Sequence, residues 1–158
     1  MADFKDQMNR SIRLEASPSR IVSLVPSQTQ LLHYLGLKDE VVGITKFCVK
    51  PEEWFNSKVR VGGTKSVDID KVLALMPDLI IGNKEENLKD DIEKLESIAP
   101  VWMSDIDTLE SALEMIAQLG KIVGKETSEL INQIEREFSR LSTYVGQLKS
   151  KQVLYFIW

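Results

Sequence analysis

The sequence predicts an α/β fold: a Rossmann-like parallel sheet lobe flanked by helices, followed by a long helix and the first strand of a second lobe. Three observations carry that expectation. Short β-branched apolar runs alternate with amphipathic segments, which implies a parallel sheet built with right-handed crossovers. A narrow apolar stripe of Leu130, Ile134, Phe138, Leu141, Val145 and Leu148 then marks one helix. At 1.5 Å per residue that helix is roughly 33 Å long, enough to span a small domain. Finally, Val153-Leu154-Tyr155-Phe156-Ile157-Trp158 forms an apolar strand pattern that needs neighbouring strands to cover it. The expected organisation is an α/β lobe over 1–126, a long helix over 127–150 and the start of a truncated second lobe over 151–158.

In chain order, residues 3–4 and 12–14 flank the polar stretch 5–11 and read as a short hairpin laid on a sheet edge. After Ser17-Pro18-Ser19, residues 20–25 have the length and β-branching of a strand buried on both faces, and Pro26 ends it. Ser27 and Gln30 stand at capping-box spacing, Leu31, Leu32 and Leu35 supply one apolar face, and Gly36 stops the helix. The unit repeats. Residues 41–45 and 59–61 are the next strands, the latter followed by a Gly62-Gly63 turn. Asp68 caps a helix with Ile69, Val72, Leu73 and Met76 on its apolar side, closed by Pro77. Residues 79–81 are a buried strand, Leu88, Ile92 and Leu95 recur at helical spacing, and Pro100 precedes a strand over 101–103. Asp107 and Glu110 open a helix through Leu113, Ile116 and Val123, stopped by Gly124.

Composition narrows the function classes. With 158 residues and 43% hydrophobic content the chain can bury one sizeable core, whereas two full lobes would be a tight fit. The formal net charge is -4 with both signs interspersed, so nucleic acid is not an expected partner. The single cysteine, Cys48, excludes an internal disulfide, and the single histidine, His33, argues against a zinc site. No apolar run approaches the ~20 residues needed to cross a bilayer, and the opening segment lacks the apolar core of a secretory signal. A processed exported protein and a cytoplasmic one would read alike here.

In an open parallel sheet, ligands bind beyond the carboxyl ends of the strands, where loops and helix N-termini present free backbone donors. The expected exits are Pro26-Ser27-Gln28, Thr45-Lys46-Phe47-Cys48, Gly62-Gly63-Thr64-Lys65, Gly82-Asn83-Lys84-Glu85-Glu86 and Ser104-Asp105. From these come the candidate ligand-binding residues Ser27, Lys46, Phe47, Cys48, Thr64, Lys65, Lys84 and Glu85, with Trp54 nearby in sequence. Lysines with flat apolar surface suit a ligand with a bulky unsaturated body and anionic or amide edges. The alternatives are solvated loop lysines, aromatics that plug the core, and Cys48 as a small buried hydrophobe. No cofactor, metal site or catalytic constellation emerges. Ser27 lacks the flanking glycines of a nucleophile elbow, and adjacent Glu85 and Glu86 point in different directions on a helical turn.

The order RIVSLVPSQTQLL, LGLKDEVVGIT and GGTKSVDIDKVLALMPDLIIG resembles the cobalamin and iron-chelate binding proteins of ATP-driven importers. The resemblance runs from about Phe4 to Trp158 and covers the first half of such a protein. It implies two α/β lobes joined by a rigid helix, a corrinoid or metal chelate held between them without chemistry, and delivery to an ABC permease. It further implies an extracytoplasmic location and a docking carboxylate that aligns with Asp70. Two departures stand out: Thr29-Gln30 replaces the family's Thr-Glu, and the stacking tryptophan of cobalamin binders is replaced near Thr64. Another tetrapyrrole, a siderophore or an unrelated anion therefore stays open as the ligand. A truncated chain is expected to self-associate through residues 153–158. Two further readings are a cytoplasmic ligand-binding or sensory relative, suggested by Met1 standing close to the domain, and a small α/β enzyme, which needs a nucleophile or acid/base pair not assembled here.

Overall fold

The computed structural model describes residues 1–147 together with Gln152 and Leu154. Contacts divide the chain into two units, Met1–Glu126 and Thr127–Trp158.

The first unit opens with β1 (Ala2–Lys5) and β2 (Ser11–Leu14), an antiparallel hairpin. Next come β3 (Ile21–Ser23), α1 (Pro26–Tyr34), β4 (Val41–Ile44), α2 (Glu52–Ser57) and β5 (Val59–Arg60). The two-residue strands β6 (Gly62–Gly63) and β7 (Ser66–Val67) pair antiparallel, so the expected glycine turn is one arm of a tight hairpin. The unit continues through α3 (Ile69–Ala74), β8 (Leu79–Asn83), α4 (Lys89–Leu95), β9 (Val101–Ser104) and α5 (Leu109–Ile122).

Five parallel strands form the central sheet in the order β5-β4-β3-β8-β9. Alternation along each strand divides the core between its two faces. Val22, Ile80, Val101 and Met103 join Val72 of α3 and Ile92 and Leu95 of α4 in one apolar cluster. Ile21, Leu79, Ile81 and Trp102 occupy the alternate positions and are also buried. α1 contacts β3 and buries Leu31 and Leu32. The β1–β2 hairpin lies on the β9 edge, as its polarity suggested: the Gln7 N–H donates to the Met103 carbonyl at 3.1 Å and the Met103 N–H to Asp6 Oδ2 at 3.3 Å. At the opposite edge β5 is two residues long and ends in the charged Arg60.

Several local expectations change. α1 starts at Pro26 with Val25 as N-cap and no side-chain cap, so Ser27 caps nothing and lies inside the first turn. Proline fixes φ at the first helical position, and this sets the start one residue early. α5 is capped reciprocally by Thr108 and Ser111 rather than begun by Asp107 and Glu110. Asp68 does cap α3, accepting from the Lys71 N–H. That helix stops at Ala74; Leu73 within it and Met76 beyond it are exposed, while Leu75 packs on the core cluster. Leu88 is exposed as the N-cap of α4.

In the second unit, α6 (Ser128–Val145) runs 18 residues, about 27 Å, with no buried residue. Phe138, Leu141 and Val145 of its apolar stripe are 48%, 55% and 52% exposed. Leu148 lies outside the described residues, as does the strand expected over 153–158 apart from Leu154, and with it the expected self-association.

Candidate functional site

The strand order creates a divide. The chain moves outward from β3 through β4 to β5, then returns to the other side of β3 for β8 and β9. The crossovers therefore part between β3 and β8, and a crevice opens above the carboxyl ends of these neighbours.

Beneath the crevice lies a buried polar layer on the α1 side. Gln28 Nε2 donates to Ser104 Oγ, Asn83 Nδ2 reaches the same hydroxyl at 3.0 Å, and Ser104 Oγ donates to the Gly82 carbonyl at 3.2 Å. Ser23 Oγ and Thr29 Oγ1 are 2.8 Å apart, and the Thr29 and Thr45 hydroxyls each sit 3.2 Å from Cys48 Sγ. These bonds lock α1 to the exits of β3, β4 and β9, while the buried Gln28 Oε1 has no hydrogen-bond partner among the described residues.

The exit loops are stitched together above this layer. The Lys46 N–H donates to the Gly62 carbonyl at 2.8 Å, joining the β4 exit to the β6–β7 hairpin. Asn87 Nδ2 donates to the Thr64 carbonyl at 2.9 Å while its Oδ1 accepts from the Asn83 N–H at 2.8 Å, tying that hairpin to the β8 exit. Asn83 Oδ1 accepts from the N–H groups of Glu85 and Glu86 at 2.9 and 3.2 Å, which folds the loop back on itself. Lys84 extends the series to the β9 exit by pairing with Asp105 at 2.7 Å.

Of the residues singled out from the sequence, Lys46 and Phe47 stand exposed, with the ammonium 5.2 Å from the ring centroid. Both crowd over Gly63, where an added Cβ would meet Phe47 Cε2 at 3.2 Å and Lys46 Cε at 3.3 Å. Thr64 and Ser27 are half-buried or more open, and Lys65, Lys84 and Glu85 are exposed. Cys48 and Trp54 are corrections: they are 0% and 1% exposed and belong to the core rather than to a solvent-facing rim. The Thr29 and Thr45 hydroxyls draw the thiol inward, and the Trp54 ring packs edge-on against His33 at 5.1 Å, holding α2 to α1. Asp70 is exposed in the first turn of α3.

The rim is electrostatically mixed. The hydrogen bond to Asp105 holds the Lys84 ammonium above the usual lysine range. Burial pushes the Glu86 carboxyl upward, against the pull of the Lys65 ammonium. Sequence reasoning did not single out Gln28, Asn87 or Ser104, which build the floor and the stitches. Two asparagines four apart beside a strand exit, Asn83 and Asn87, were the available sign of a side-chain-organised loop.

Residues 21–158 match the family model described as Periplasmic binding protein. The chain belongs to the periplasmic binding protein family. Among relatives of the chain, an uncharacterized ABC transporter substrate-binding lipoprotein of Bacillus subtilis is 29% identical over 138 residues, covering 84% of the chain and 43% of the relative. A vitamin B12-binding protein of Vibrio campbellii is 29% identical over 147 residues, covering 85% and 53%. The solved petrobactin-binding protein of Bacillus subtilis superposes with a TM-score of 0.72 at 25% identity, over 92% of this chain and 51% of that one. The chain thus spans about half the length of the relatives it matches, and these relatives are named as binding proteins rather than enzymes. Among the described residues, no helix is long and apolar enough to cross a membrane.

Proposed function

We propose that this chain supplies one ligand-binding lobe, over 1–126, and the connecting helix of an ABC-importer substrate-binding protein that captures a corrinoid or ferric chelate. The carrying observation is the exposed Lys46–Phe47 pair at the exit of β4, seated over Gly63 beside Thr64 and Lys65. A flat apolar face flanked by cations and backbone donors suits a ligand with a conjugated or chelated body and anionic or amide edges. Lys65 is the cation best placed for an anionic edge, because Lys84 is already engaged by Asp105. Nothing in this reading requires bond making: the rim holds a ligand and α6 continues toward a second lobe that closes over it. Asp70, exposed on α3, is the docking carboxylate for permease arginines, and the protein works outside the cytoplasm, as the lipoprotein relative's name suggests. Ser27, in the first turn of α1 beyond the β3 exit, contributes its backbone and hydroxyl.

The test is calorimetric titration of the natural full-length protein with cobalamin, haem and ferric catecholate and carboxylate chelates, with ligand absorbance followed in parallel. We expect saturable one-to-one binding of one class, and Phe47→Ala to weaken it about tenfold, the loss of one stacked or cation-bearing ring. No heat and no spectral change with any of these ligands would overturn the proposal.

A further inference from the structure

The geometry points to a second binding pocket, which does not include the Lys46–Phe47 pair but shares Lys84 and Asn87 with the exit loops, that takes a compact uncharged apolar molecule. It lies between the turn of the β1–β2 hairpin and α4, with a volume of about 470 Å³. That is within the range of small-molecule sites, roughly 300–1,000 Å³. Its floor is Ile92 and Met103, 5% and 3% exposed, and Met8 from the hairpin turn forms one wall.

Two observations define the occupant. First, every charged side chain that lines the pocket is already paired inside the protein. Arg10 is held by Asp6 and Glu96, Lys84 by Asp105 at 2.7 Å, and Lys89 by Glu93 at 3.5 Å. The Asn87 amide is likewise engaged through both its oxygen and its nitrogen. A charged ligand would therefore lose its hydration and find no spare partner, whereas an apolar one needs only burial. Second, the walls are fixed before any ligand arrives. Asp6 accepts from the N–H groups of Met8 and Arg10 at 3.0 and 2.8 Å and from Arg10 Nε at 2.7 Å, while Arg10 Nη2 donates to the Val101 carbonyl at 2.9 Å. The hairpin turn is thus anchored to the β9 edge and cannot collapse into the space without breaking these part-buried hydrogen bonds. The two thioethers lining the cavity suit aromatic occupants, because sulfur packs favourably against ring edges. This pocket stands independently of the importer reading.

The probe is the uncharged fluorophore phenylnaphthylamine, titrated into the full chain with methyl-labelled methionine for NMR. We expect one-to-one saturable brightening, with the Met8 and Met103 methyl resonances shifting while those of Met76 and Met115 hold still. Met8→Asp, which places an unpaired carboxylate in the wall, should weaken the probe at least tenfold, and Met8→Leu should stay within about twofold. Met8 is 40% exposed in a turn, so neither change threatens folding. Absence of saturable binding, shifts at Met76 or Met115 instead, unchanged affinity in Met8→Asp, or equal affinity for the sulfonated analogue would each overturn the assignment.

Discussion

Asp6 shows how much of this molecule turns on single residues. Its carboxylate is 3% exposed and gathers the N–H groups of Met8, Arg10 and Met103 as well as Arg10 Nε. Replacing it by alanine strands these donors and leaves the Arg10 guanidinium with Glu96 and the Val101 carbonyl, a loss of about 3 kcal/mol by the cost of breaking a buried pair. Urea unfolding of Asp6→Ala measures this; a change below about 1 kcal/mol would show that water replaces the carboxylate without penalty. None of it was legible in the sequence, where Asp6 belongs to a polar stretch read as a loop. Its partner Met103 is far away along the chain, and spacing alone cannot bring the two together. Cys48 and Trp54 were misplaced for a related reason. Position after a strand locates a loop, but which side chain turns inward depends on partners such as Thr29 and His33 from another element.

At the scale of elements, the β6–β7 hairpin is the most sequence-restricted piece of the rim. Gly62 has φ +96, and a Cβ there would lie 2.4 Å from the Ser66 carbonyl oxygen and 3.0 Å from the Asp68 nitrogen. These are backbone atoms, so Gly62→Ala must open the hairpin, at a cost of about 2 kcal/mol or more. Thermal unfolding is expected to show that loss. Because the Lys46 N–H and the Thr64 carbonyl are fixed through this hairpin, binding of the rim ligand should weaken with it. Unchanged melting would place the strain elsewhere. Element types were readable where periodicity and end signals agreed, as in α3, with Asp68 at its start. Boundaries slipped where two signals competed. Pro26 at the first helical position outranked the Ser27–Gln30 spacing, and the Thr108–Ser111 pair outranked the acidic residues Asp107 and Glu110. In α3, Leu73 and Met76 matched a helical period, but Leu73 is exposed within the helix and Met76 falls beyond its end at Ala74, at φ 46.

For the whole molecule, the alternation of strands and helices revealed a parallel sheet, while the order β5-β4-β3-β8-β9 was beyond sequence pattern. A right-handed crossover can place the next strand on either side of an occupied sheet, and burial against particular neighbours decides it. Among the described residues, the apolar cluster on the α3 and α4 face draws its members from Met1–Glu126, and α6 buries none of its own. Residues 1–126 expressed alone should therefore unfold in one cooperative transition, within about 1 kcal/mol of the 158-residue chain in urea. A broad, uncooperative transition would show that the α/β unit depends on residues 127–158 for its stability.

The flanks of the central sheet carry a consequence for colloidal behaviour. An open edge offers a ready template to any passing extended chain, and sheets that leave one bare tend to aggregate. Here the β9 flank is already taken by the N-terminal turn, and the β5 flank offers only Val59 and the cationic Arg60. Strand addition is thus denied on one side and curtailed on the other, so the sheet offers little template for another extended chain.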